Sequence, residues 1–164
     1  MQRTHQGVSV DAKATEKGIF MRYLLLVSHG TFAPGLHSVM KMLVGERDDI
    51  LSCSLRDGEG AGQYVSELEE TISPITANDE VILLGDLIGG SPLTNALNTL
   101  ASHGLLPKTR AFGGANVPMA LTAAFDLQSE DLDGLCKSIV SEGQNALSEM
   151  ELDLGGDDDE EEDL

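Results

Sequence analysis

"LLVSHG", residues 25–30, sits at the end of an apolar run, "RYLLLVSH" (22–29), that stops on Ser28, His29 and Gly30. A run of strand length with no polar alternation reads as a strand covered on both faces. "EVILLGD" (80–86) has the same character and stops on Asp86. "ILSCSL" (50–55) alternates and reads as a second strand, and "TRAFGG" (109–114) as a short fourth.

Helices fill the intervals. Leu36, Val39, Met40, Leu43 and Val44 recur at helical spacing and stop at Gly45, a C-terminal signal. Ala61, Tyr64, Val65, Leu68 and Ile72 form the next apolar stripe, with Glu67, Glu69 and Glu70 outside it. Ser91 reads as an N-cap with Pro92 in the first helical position, followed by Leu93, Ala96, Leu97 and Leu100. Asn116 to Phe125 reads as a helix with Pro118 in its first turn. A last stripe runs from Leu132 to Leu147.

Strands alternating with helices across short connections specify an α/β domain with a mostly parallel sheet of four to five strands, helices on both faces. One common strand order, 2-1-3-4, makes the first and third strands neighbours. A crevice then opens at their carboxyl ends, where open α/β sheets place ligands. His29 and Asp86 meet there.

A neutral imidazole has one N–H and one lone pair, and a bond to one nitrogen decides the state of the other. If Asp86 accepts the N–H of His29, the opposite nitrogen is left as an oriented nucleophile. Phosphoryl groups suit such a nucleophile, because their transfer needs mainly positioning and charge stabilisation. Gly89-Gly90-Ser91-Pro92 lets the backbone come close and then opens a helix whose first N–H groups are unpaired. Hydroxyls of Ser28, Thr31 and Ser91 add possible donors. Taken singly, each feature has a blander reading: a strand-end histidine reaching solvent, a loop aspartate, a good helix start. Their convergence at one crevice is what favours a His/Asp phosphate or hydrolytic site. His37 and His103 read as surface residues, and His5 lies in the N-terminal extension.

Composition narrows the field. The chain has 10 basic and 28 acidic residues among 164, a formal charge of −18. Nine of the acidic residues lie in 151–164, which read as a disordered tail. Residues 1–20 read as an added extension, with Met21 a candidate start, and 21–150 as the domain. Such acidity argues against nucleic acid and fits a basic protein partner better. No apolar window reaches membrane-spanning length and no signal peptide is evident, so the chain reads as cytoplasmic without membrane insertion. Cys53 and Cys136 read as reduced core cysteines. Neither H-E-x-x-H nor C-x-x-C occurs, so a metal site has little support. The elbow G-x-S-x-G fails because Leu26 stands where its first glycine belongs.

"LLLVSHGTFAPGL", "VILLGDLIGGSPLTNAL" and "AFGGANVPMAL" together resemble the signature segments of the mannose-class IIA component of the bacterial phosphoenolpyruvate-dependent sugar phosphotransferase system. The resemblance covers most of 22–148. It implies an enzyme, a phosphotransferase forming a phosphohistidine: His29 accepts a phosphoryl group from the histidine-containing phosphocarrier protein. His29 then passes it to a IIB component, here a separate protein, that phosphorylates incoming sugar. By the same resemblance Asp86 orients His29, while Ser28, Gly30, Thr31, Gly89, Gly90 and Ser91 hold the phosphate. Asn116, Pro118 and Met119 line a partner-facing rim. It also implies a homodimer, commonly formed by exchange of a terminal strand, and transfer without metal or other cofactor. Two alternatives stay open: a related phosphocarrier feeding a dihydroxyacetone kinase, and a regulatory phosphoprotein of an incomplete phosphotransferase system.

Overall fold

A computed structural model describes residues 20–152. The extension before Phe20 and most of the acidic tail lie outside the described residues. Strand β1 (Arg22–His29) leads through α1 (Phe32–Val44) to β2 (Ile50–Leu55), then α2 (Ala61–Thr71) and β3 (Glu80–Gly85). Helix α3 (Ser91–Ser102), β4 (Thr109–Phe112), α4 (Val117–Phe125) and α5 (Leu132–Asn145) follow. The sheet has the order β2-β1-β3-β4 with every neighbouring pair parallel, as expected from the sequence. Four strands are present among the described residues, and no fifth.

The uninterrupted apolar runs of β1 and β3 follow from burial on two faces. Leu24, Leu26, Ile82 and Leu84 pack under α1, α4 and α5 with Met40, Ala123 and Ile139. Leu25, Val27 and Leu83 point the other way and meet Tyr64, Leu68 and Leu100 of α2 and α3. Each such side chain contributes about 1.5–3 kcal/mol when fully buried. The Tyr64 hydroxyl donates to Pro92 O at 3.0 Å, fixing α2 to the first turn of α3. Burial raises its pKa, so the phenol stays protonated.

Several local readings shift by a residue or a face. Strand β4 ends at Phe112, and the chain then turns through Gly113-Gly114, with Gly114 N donating to Asp86 O and Ala115 N to Gly85 O at the end of β3. Asn116 caps α4 rather than joining it, its side chain accepting Met119 N at 3.0 Å. The last helix stops at Asn145, leaving Leu147 exposed. Gly90, not Ser91, is the N-cap of α3: Gly90 is extended and its carbonyl takes the N–H of Thr94 at 3.0 Å, which starts the helix one residue earlier. His37 is half-buried rather than a surface residue, because its Nδ1 reaches back to Ser52 Oγ at 2.9 Å. Burial, then nearby Lys41, lowers its pKa. Cys53 and Cys136 are free thiols, and burial raises both, Cys53 to about 11. No helix among the described residues is long and apolar enough to cross a membrane.

Candidate active site

The parallel pairing of β1 with β3, with Val27 opposite Gly85, brings the two strand ends together. His29 is the last residue of β1 and Asp86 the first beyond β3. One carboxylate oxygen of Asp86, Oδ2, accepts both the backbone N–H of His29 and its ring Nδ1, each at 2.9 Å. The other, Oδ1, accepts Leu87 N at 2.8 Å. An ionised carboxylate has no proton to give, so Nδ1 is the nitrogen that carries the hydrogen toward Asp86, and in a neutral ring the lone pair falls on Nε2. Burial opposes the charge on Asp86, but the N–H groups of His29, its ring and Leu87 outweigh it and hold the carboxyl below its ordinary pKa. The imidazole side chain is 43% exposed, against 18% for Asp86. The aspartate is thus the sheltered member and the ring the presented one.

The loop from β3 to α3 is shaped around that ring. A Cβ on Gly90 would lie 2.9 Å from His29 Cε1, so only a glycine lets the backbone press against the imidazole at this distance. Gly30, at φ +57°, turns the chain directly after His29 into a left-handed conformation that an L side chain rarely adopts. Helix α3 begins with no side-chain cap, and the N–H groups of Ser91 and Leu93 have no partner within the helix. Together with the exposed Ser91 hydroxyl, this end of the helix is suited to an anion.

The residues read from sequence as phosphate ligands divide into two groups. Thr31, Gly89 and Ser91 are exposed around the ring's loops. Ser28 is fully buried, its Oγ accepting Ala33 N at 2.6 Å, so it secures the start of α1. The N–H of Gly30 is committed to Leu55 O at 2.8 Å, and that of Gly90 to Leu87 O at 3.2 Å. Among the rim residues, Met119 is turned into the core, 5% exposed. It packs against α5, where a Cβ on Gly143 would come within 2.3 Å of Met119 Cγ. Asn116 is half-buried and engaged as a cap, and Pro118 is half-buried beside it. The site also has an apolar border that no motif in the sequence marks. Leu87 and Ile88 are 60% and 84% exposed, and Phe32 45%. The signal was available: two large apolar residues inside a tight loop have no core to enter. Among the described residues no group of three or more His, Cys, Asp or Glu side chains is placed to hold a metal ion.

Residues 23–140 match the EIIA-man family model, described as the PTS system fructose IIA component. The PTS system fructose-specific EIIA component of Bacillus subtilis (strain 168) is 24% identical over 98 residues, 60% of this chain. The chain spans 65% of that relative's length. Among solved structures, the PTS IIA protein associated with the fucose utilization operon of Streptococcus pneumoniae is 30% identical. Its TM-score is 0.67, with 79% of this chain and 93% of that one covered. The mannose/sorbose specific IIA subunit of the phosphotransferase system from Enterococcus faecalis is 27% identical. It superposes with a TM-score of 0.68 over 81% of this chain and 97% of its own.

Proposed function

This chain belongs to the EIIA-man family of phosphotransferase-system IIA components, and from that premise we propose that it is a phosphocarrier loaded on His29. The observation that supports the role of His29 is its 2.9 Å bond from Nδ1 to Asp86, which leaves Nε2 as the available nucleophile on a part-exposed ring. In this reading the donor is the histidine-containing phosphocarrier protein and the acceptor a IIB component, in the service of sugar uptake in the cytoplasm. Residues 21–150 form the phosphocarrier unit.

The lone pair of His29 Nε2 attacks the phosphorus of the donor's phosphohistidine. As the new N–P bond forms, the donor's P–N bond breaks and its electron pair returns to the donor's ring nitrogen. No proton moves. The hydrogen on Nδ1 stays facing Asp86, whose charge stabilises the ring as it becomes cationic. The first turn of α3, Ser91 and Thr31 receive the phosphoryl oxygens through N–H and O–H groups. Passage to the IIB histidine repeats the step with His29 as the leaving group. The exposed Phe32, Leu87 and Ile88 give both partners an apolar landing beside the ring.

Incubation with phosphoenolpyruvate, the first enzyme of the system and the histidine-containing phosphocarrier protein, followed by intact mass, tests this. The expected product carries one acid-labile phosphoryl group; an unchanged mass under conditions that load a control IIA protein contradicts the reading. Gly90→Ala is expected to slow loading about 10- to 100-fold by displacing the ring from Asp86, measured as the initial rate of label uptake.

The reading includes a homodimer. Among the described residues, strand β4 has a neighbour on one side only, so its outer backbone groups are available to another chain. Beside it lies a cavity of about 680 Å³ lined in part by Leu97, Phe112 and Val140. Beyond α5, Leu147, Met150 and Leu152 are exposed. A second copy covering this face removes that apolar surface from water. Light scattering at micromolar concentration is expected to give the dimer mass, and a monomer mass contradicts it.

A further inference from the structure

The strand β2 ends beside the candidate site, and its loop carries a charge that the dyad does not use. Leu55 is paired with His29, and Gly30 N donates to Leu55 O at 2.8 Å. Adjacent strands lie about 4.8 Å apart, so the residue after Leu55 leaves the sheet next to the imidazole-bearing residue. That residue is Arg56. Among the four connections that leave the carboxyl ends of the strands, 30–31, 56–60, 86–90 and 113–116, it is the only lysine or arginine. Its side chain is 58% exposed.

Arg56 is held, but lightly. One terminal nitrogen donates to Glu67 Oε1 at 2.9 Å, across to α2. The same nitrogen is 3.6 Å from Glu59 Oε1. The carboxylate of Glu59 is 4% exposed, and its Oε2 accepts the backbone N–H of Arg56 at 2.8 Å while Oε1 has no hydrogen-bond partner. Glu59 therefore pins the turn that carries Arg56 and sets a buried carboxyl group under it. The pair with Glu67 is surface-exposed, a kind that exchanges readily because water screens it. The remaining guanidinium donors make no hydrogen bond among the described residues.

A phosphoryl group on His29 brings about two negative charges next to the ionised Asp86, in a domain already rich in carboxylates. The loop donors around it are neutral. A guanidinium is the group that meets phosphate oxygens with two parallel N–H bonds. We propose that Arg56 is a phosphate-binding residue of this site, released from Glu67 to pair with the phosphoryl group on His29, with Glu59 as the buried anchor of its turn. Glu67 is then a positioning residue that holds the cation ready in the unloaded protein. This rests on the phosphocarrier reading and adds to it a ligand that neither the resemblance nor the dyad geometry includes.

The test compares wild type, Arg56→Gln, Arg56→Lys, Glu67→Gln and the double variant R56Q/E67Q. Two quantities are measured on the loaded proteins: the equilibrium partition of phosphoryl groups with the donor protein, and the pH midpoint of the phosphoryl titration by phosphorus NMR. Arg56→Gln is expected to shift the partition about tenfold toward the donor, the effect of one charge-assisted bond, and to raise the midpoint. Arg56→Lys restores part of both. Glu67→Gln, which frees the cation from its competing carboxylate, moves both the opposite way, and the double variant behaves as R56Q alone. A merely structural Arg56 would change thermal unfolding and leave the midpoint where it is. Wild-type partition and midpoint in Arg56→Gln overturn the proposal while leaving the phosphocarrier reading standing. A wild-type protein that takes no phosphoryl group overturns both.

Discussion

His29→Ala is expected to abolish phosphoryl uptake while leaving the fold in place. The ring is 43% exposed at the end of a strand whose core contacts come from residues before it. Its removal therefore opens no buried cavity, and the thermal midpoint should move little. The other described histidines offer no substitute. His37 is half-buried against Ser52, and the Nδ1 of His103 lies 2.9 Å from Thr99 O at the end of α3. Neither has a carboxylate bonded to its ring. Loading should fall below about one thousandth of wild type, the scale set by losing a covalent nucleophile and its oriented partner. Acid-labile phosphate at the wild-type level in this variant would move the chemistry off His29.

Asp86→Asn is the second large effect, and it separates orientation from charge. In the native site both carboxylate oxygens accept, and three N–H groups converge on them. An amide of the same shape offers one acceptor and one donor. If its NH2 faces the imidazole, the Nδ1 hydrogen is lost and Nε2 acquires it, leaving no nucleophile toward the donor. Loading should slow about 10³- to 10⁴-fold, as when the wrong tautomer is fixed in a serine-protease triad. Asp86→Ala should slow it less, because a ring freed of its partner still samples the productive tautomer. Rapid-quench rates of label transfer distinguish the two. Equal rates for Asn and wild type would remove Asp86 from the chemistry. The acid side of the pH profile has a definite sign. Hydrogen bonds keep the Asp86 carboxyl below its ordinary pKa, so its contribution persists above the usual carboxylate range. It is lost only as pH falls through the depressed value.

The strands and their order were legible because two-sided burial leaves a plain mark. Leu24 to Val27 and Val81 to Leu84 are apolar without alternation, and both segments form central strands. The meeting of His29 and Asp86 followed from that order alone. What was not legible depended on which way a single side chain turns. Ser28 has the composition of a phosphate ligand, but the odd-even pleat and the start of α1 turn its hydroxyl to Ala33 N. Met119 has the spacing of a rim residue, and the absent side chain at Gly143 lets it sink into the core instead. Ser91 has the chemistry of an N-cap, yet Gly90 takes the position, since the carbonyl of Gly90 already accepts Thr94 N and puts Ser91 inside the first turn. Arg56 carried no local motif. Its place beside His29 is a consequence of the β1–β2 register, visible only when the sheet is assembled.

The most direct test of the account uses protein labelled with nitrogen-15 in its histidine rings, loaded from phosphoenolpyruvate through the donor proteins and observed by NMR. The account predicts phosphorus coupling to Nε2 of His29, with a hydrogen retained on Nδ1. Coupling to Nδ1, or to the ring of any other histidine, would contradict it.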